Sequence, residues 1–257
     1  MFLTPCKFYN KCYTSDIIYH YNKFGFTLAE VLITLGIIGI VAAVTLPTLI
    51  SKYQKDVTVE KLRTTYSIIN NAVKLSEYDN DEKLNWVFPI TNSDVGPFVE
   101  KYYFPYFKGA SLYNGGKYAI SNLSGREIYP LLTLNHDSKT VILSNGVFVT
   151  FLWNTSHTQY QWIFVDVNGL QKPNRIGRDI FVMEGKKSKY VTFYGAGNSI
   201  NGLKNDGNNY TEDEAENNRG GFGCSKKNKY GYYSGYHCGA LIEASGWKIP
   251  EDDDYPW

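Results

Sequence analysis

Methionine is scarce in this 257-residue chain, which has two, Met1 and Met183, and histidine and cysteine number only four each. The histidines His136, His157 and His237 stand singly, far from one another and from any second histidine at metal-ligand spacing. The chain has no G-x-S-x-G elbow, no H-E-x-x-H helix, no Walker loop and no S-x-x-K with its partner motifs. Gly195-Ala196-Gly197 lacks the third glycine and the following helix of a dinucleotide site. These absences argue against an enzyme. Excess charge is absent too: 26 Lys/Arg against 25 Asp/Glu leave a formal net charge of +1, and Lys226, Lys227 and Lys229 form only a short basic patch. No nucleic-acid partner is expected from such a balance.

Tyrosine is abundant, with 22 copies beside 14 Phe and 23 Gly. That mixture suits a loop-rich β head outside the cytoplasm better than a cytosolic helical enzyme. The four cysteines divide by position, Cys6 and Cys12 near the start and Cys224 and Cys238 near the end. An even pair in an exported domain favours a Cys224–Cys238 disulfide. A zinc site is the rival, and His237 adjoins Cys238, but no second pair of ligands supports it.

Residues 23–50 read KFGFTLAEVLITLGIIGIVAAVTLPTLI. The apolar run from Phe26 to Ile50 is about as long as a bilayer-crossing helix requires. Glu30 stands alone within it, and a carboxylate in hydrocarbon costs roughly 2.5–3.5 kcal/mol on insertion scales. Such a residue needs a partner or a function. A secretory signal peptide has a shorter apolar core, and a generic anchor explains neither Gly25-Phe26 nor Glu30.

The order and spacing of Lys23, Gly25, Phe26, Thr27, Leu28 and Glu30 closely resemble the N-terminal signature of type IV pilins and type II secretion pseudopilins. The resemblance implies that a prepilin peptidase cuts between Gly25 and Phe26 and methylates the new Phe26 amine, with Lys23, Thr27 and Leu28 completing the processing motif. It implies that Glu30 pairs with the Phe26 amine of an adjacent subunit. Pro47 falls where many relatives carry a helix-loosening proline. Gly36, Gly39, Ala42 and Ala43 offer a small-residue surface on which helices can approach closely. The implied partners are the peptidase, other pilin or pseudopilin subunits and the cytoplasmic membrane. The implied location is a single-pass position in a bacterial inner membrane, then a pilus or pseudopilus. Lys7, Lys11 and Lys23 against a single Asp16 keep the leader cytoplasmic and send the body across.

The expected division is a leader at 1–25, a transmembrane and assembly helix at 26–50, its amphipathic continuation at 51–80 and a globular head at 81–257. Val59, Leu62, Tyr66, Ile69 and Val73 recur at three- and four-residue steps, so the helix continues with one apolar stripe. A short helix is expected within 95–107, its aromatics packing beneath it. Strands are expected at 140–143, 147–153, 160–166, 179–183 and 190–194, with Asn145-Gly146 turning the first hairpin. The expected fold class is α+β, a long N-terminal helix packed on an antiparallel sheet. Residues 195–239, poor in aliphatics, read as a surface loop closed by the cysteines.

Asp166, Asn168, Asn174 and Asp179 surround Gly169 and Gly177 and allow two readings. Their oxygens could cage a calcium ion, although an EF-hand register starting at Asp166 fails at Leu170, Gln171 and Gly177. The other reading is a structured turn in which these side chains bond nearby amides. The chain as a whole reads as a filament subunit precursor of type II secretion or of a type IV pilus-like system. The alternative is a membrane-anchored module whose aromatic head binds glycan or another surface ligand.

Overall fold

A helix whose character changes part-way along its length opens the computed structural model, which describes residues 25–115, 119–128, 138–153, 160–187, 190–205, 221–228, 231–251 and 254–257. Lys23, Cys6, Cys12, His136 and His157 therefore lie outside the described residues. The chain divides into two units, residues 1–49 and 50–257. Helix α1 (Leu28–Asn80) contributes to both. Its first part is exposed all round, and its first buried side chain is Thr58. From there Val59, Leu62, Ile69, Ala72 and Val73 are buried on one stripe, and Tyr66 is partly buried. The helix stops after Asn80 because Asp81 adopts a left-handed φ of 69°, and its Oδ1 accepts the next backbone N–H, that of Glu82.

The stripe packs on an antiparallel meander of six strands, ordered β1-β2-β3-β4-β5-β6. These are β1 (Ser111–Leu112), β2 (Ser138–Ile142), β3 (Phe148–Trp153), β4 (Tyr160–Asp166), β5 (Ile180–Lys186) and β6 (Thr192–Phe193). The α+β fold expected from the sequence is therefore present. Gly146, at φ 81°, supplies the left-handed residue that the Asn-Gly turn between β2 and β3 requires. Helix α2 (Val95–Tyr102) follows α1 and buries Val95, Phe98, Val99 and Tyr102. Trp86 stacks on Tyr102 with ring centroids 4.5 Å apart, so the aromatics of residues 82–107 serve packing.

The alternation along the strands separates two apolar layers. Val149, Phe151, Ile163, Val165, Phe181 and Met183 face α1 and α2. Leu152, Phe164, Ile180 and Val182 face the other way, against Ile120, Ile128 and Tyr236. Thr140 and Thr150, paired across β2 and β3, share a buried hydroxyl–hydroxyl hydrogen bond of 2.8 Å. Both faces of the sheet are thus covered.

That coverage corrects the surface-loop expectation for residues 221–228 and 231–239, while 196–201 are exposed as expected and 206–220 and 229–230 lie outside the described residues. Among the described residues, α3 (Ile200–Lys204), a 3-10 turn at Lys226–Asn228 and α4 (Cys238–Ala244) lie in or adjoin the 195–239 stretch. Leu203, Cys224, Ser234, Tyr236 and Cys238 are buried, and Tyr236 sits edge-on to Phe164 on the back of the sheet. Tyrosine rings supply the apolar area that aliphatics supply elsewhere, and glycines let the backbone approach.

Candidate functional site

The candidate segment begins where helical structure begins. Gly25 and Phe26 precede the helix without regular structure, both exposed, with Phe26 at 87%. A Cβ placed on Gly25 would meet nothing within 4 Å. No contact within the chain demands glycine there.

Thr27 is the N-cap of α1 and Glu30 its third helical residue. The Thr27 amide donates to Glu30 Oε2 at 2.8 Å, and the Glu30 amide donates to Thr27 Oγ1 at 3.2 Å. The Thr27 hydroxyl donates to the same Oε2 at 2.7 Å. This reciprocal pattern is a capping box, which satisfies two amides that a helix start leaves without partners. The Thr-x-x-Glu spacing before an apolar run announces it in the sequence, in the same residues that resemble the processing motif. Glu30 therefore holds the helix start while its carboxylate stays exposed.

From Leu28 to Ile50 every side chain is exposed except the half-buried Ala42. Gly36, Gly39 and Ala43 are among the exposed ones, and added Cβ atoms on either glycine would meet nothing. Pro47 lies inside α1 and the helix continues through it, at the loss of one backbone hydrogen bond. This is the one helix among the described residues long and apolar enough to cross a membrane by length and composition. Contiguous apolar surface on this scale requires a lipid or protein cover.

The loop after β4 brings Asp166, Asn168, Asn174 and Asp179 together. The Asn168 amide donates to Asp166 Oδ1 at 3.2 Å. Asp179 accepts three N–H groups: Asn168 Nδ2 at 3.1 Å, the Asn174 amide at 2.9 Å and the Arg175 amide at 2.6 Å. Burial raises the Asp179 pKa above its ordinary value, against the lowering effect of these donors. The Oδ1 atoms of Asn168 and Asn174 accept no hydrogen bond. Lys61 donates to the Val167 carbonyl at 2.9 Å, and Lys172 and Arg178 line the same groove of about 300 Å³. As arranged, the four residues form a hydrogen-bonded turn beside three cations, with Asn168 offering its nitrogen to Asp179. Among the described residues no three His, Cys, Asp or Glu side chains cluster as metal ligands.

Cys224 and Cys238 are joined by a disulfide across 14 residues of separation. Gly177, at φ +84°, lies so close that an added Cβ would stand 2.6 Å from Cys238 Sγ. The disulfide thus packs on the loop that Asp179 organises. Trp257 is held between Lys55 and Arg178, whose cationic groups lie 5.9 and 5.6 Å from its ring. Trp247 packs on Tyr66 and Phe193, while Phe222 and Tyr233 stack at 5.2 Å within the aromatic layer that includes Tyr236.

Two family models match the chain. Residues 48–257 match a family of unknown function, DUF6613. Residues 21–46 match the prokaryotic N-terminal methylation motif, the prepilin signal of pilins and pseudopilins. No curated protein and no solved structure matches.

Proposed function

We propose, for a chain that belongs to the DUF6613 family of unknown function and has the N-terminus of a prepilin-like precursor, that it is a structural filament subunit. Prepilin peptidase cuts between Gly25 and Phe26, and the new Phe26 amine is methylated. The processed chain waits in the inner membrane on residues 26–50, its head outside the cytoplasm. It then leaves lipid to pack its helix against those of other subunits in a type II secretion pseudopilus or a type IV pilus-like filament. The motif belongs to structural proteins, and catalysis resides in the peptidase that processes them.

The observation that carries this reading is the apolar surface of residues 28–50, exposed but for Ala42, directly behind an exposed Gly25-Phe26 bond. Lipid and neighbouring helices can cover such a surface in turn, because both are equally apolar. Gly36, Gly39, Ala42 and Ala43 then allow close approach. Glu30 is paired with Phe26 of the next subunit, which neutralises a charge in an apolar setting and sets the axial register.

Immunogold labelling of cells tests the proposal, with the native leader in one strain and Gly25→Leu in the other. Label on surface or periplasmic filaments in the first strain and membrane-confined label in the second are expected. Label confined to the membrane in both strains refutes filament assembly.

A further inference from the structure

Two apolar features of the head reach its surface among the described residues. The first is a groove of about 510 Å³ between α1, the 3-10 turn Phe104–Tyr106 with the residues after it, and the β2–β3 turn. Ile68, Leu75, Phe107 and Leu143 make its apolar lining, and Leu75 is 51% exposed. Lys74 and Lys108 stand on its rim, both exposed; Lys74 lies 5.7 Å over the Tyr190 ring, and among the described residues neither lysine is ion-paired.

The second is a projection on the segment between α1 and α2. Leu84, Val87 and Ile90 are exposed at 60%, 75% and 75% while Trp86 between them is buried. Their backbone is fixed. Trp86 Nε1 donates to the Asp81 carbonyl at 2.9 Å, the Val87 amide to the Tyr102 hydroxyl at 3.1 Å, and the Ile90 amide to Asp94 Oδ2 at 3.1 Å. A projection already ordered loses little entropy on docking. Asp81 and Glu82, both exposed, immediately precede it.

We propose that Leu84, Val87 and Ile90 of one copy seat in the groove of a second copy, bringing Asp81 and Glu82 toward Lys74 and Lys108. An apolar projection beside acids matches an apolar groove beside bases, so the occupant is this chain itself. Donor and acceptor surfaces differ, which makes the contact heterologous. A seated pair retains one free projection and one free groove, and repetition extends it rather than closing a dimer. This inference rests on the filament reading and names the head contact that orders its subunits. Three side chains fall well short of the roughly 800 Å² per partner of a stable interface. The contact therefore works at the high effective concentration that packed N-terminal helices create.

The test places a photo-cross-linking residue at Val87 in the full chain, expressed in its own cells. A dimer is expected, its adduct mapping to residues 68–75, 106–108 or 143–144 of the other copy. Lys74→Glu with Lys108→Glu should cut its yield roughly fivefold, and adding Glu82→Lys should restore part of it. A cross-linker at Ile38 reports helix assembly separately. Ile38 dimers without a Val87 adduct in the groove, or with yields indifferent to charge, overturn the head contact and leave the filament reading standing. Loss of both dimers overturns both.

Discussion

Removing the Cys224–Cys238 bond by replacing both residues with alanine should cost the head about 3 kcal/mol. The magnitude follows from the 14-residue separation, because closing a loop of about 15 residues in the unfolded chain costs roughly that much entropy. For a domain of about 200 residues, each kcal/mol moves the melting temperature by roughly 2–4 °C, so a fall of about 6–12 °C is expected. Location adds to the effect. Both cysteines are fully buried in the main core, Cys238 lies against Gly177, and Tyr236, two residues earlier, covers the back of the sheet. The two lost sulfurs leave a void that the surrounding residues fill only in part. Substitution is preferable to reductant because a buried bond reduces slowly. The assay is thermal unfolding of the processed chain in detergent, followed by near-ultraviolet circular dichroism, which reports the aromatic head rather than the helix in the micelle. A melting temperature within about 3 °C of the parent refutes the argument: the loop would then be closed equally well by its packing, and the bond would constrain nothing.

Lys83 gives a pH-dependent prediction. It is buried, and burial pushes its ammonium down to about 8 from the ordinary 10.5, with Glu77 opposing part of the shift. Below pH 8 the lysine is charged whether folded or unfolded, and the folded state bears the cost of burying the charge. As pH rises from 8 to 10.5 that cost is relieved, so the parent should gain about 3 kcal/mol relative to Lys83→Met in urea unfolding, while the buried hydroxyls of Tyr103, Tyr236 and Tyr255, raised by burial, lower the stability of both chains alike at the top of that range. Glu30 can be tested by charge. Glutamine preserves a capping box, so Glu30→Gln should keep the helix start yet assemble as poorly as Glu30→Ala, with both still processed. Filament yields for Glu30→Gln equal to the parent would restrict Glu30 to capping. In the turn after β4, Asp179→Ala should cost about 2–4 kcal/mol for three lost charge-assisted bonds, while calcium or chelator should leave the parent's melting temperature unchanged. A shift of several degrees with calcium would reassign those oxygens to a cation.

Much of the fold was legible because its signals are local. The stripe from Val59 to Val73 appears in the structure as the buried face of α1, and expected strand 160–166 coincides with β4. Expected strand 190–194 shortens to two residues, and expected strand 179–183 starts one residue later and runs on to Lys186. Strand β1, also two residues long, went unseen because two residues cannot display a period. The capping box was readable in Thr27-x-x-Glu30, yet the same residues spell the processing motif, and one pattern hid the other.

By itself the sequence determined the N-terminal program: the prepilin-type methylation motif, an apolar helix with one carboxylate, and the amphipathic stripe on which a sheet could settle. Periods of 3.6 and 2 encode which side of an element seeks cover, and they can be read one element at a time. What covers the far face of the sheet was decided only by the tertiary structure. Residues 195–239 lack aliphatic periodicity, so the burial of those at 221–228 and 231–239 depends on Tyr236 meeting Phe164 and Gly177 making room for Cys238. The same holds for the oxygens after β4, whose role rests on where Asp179 places its carboxylate, and for the groove beside Leu75, which exists only once three distant segments converge. Contacts between residues far apart in the chain leave no periodic trace along it.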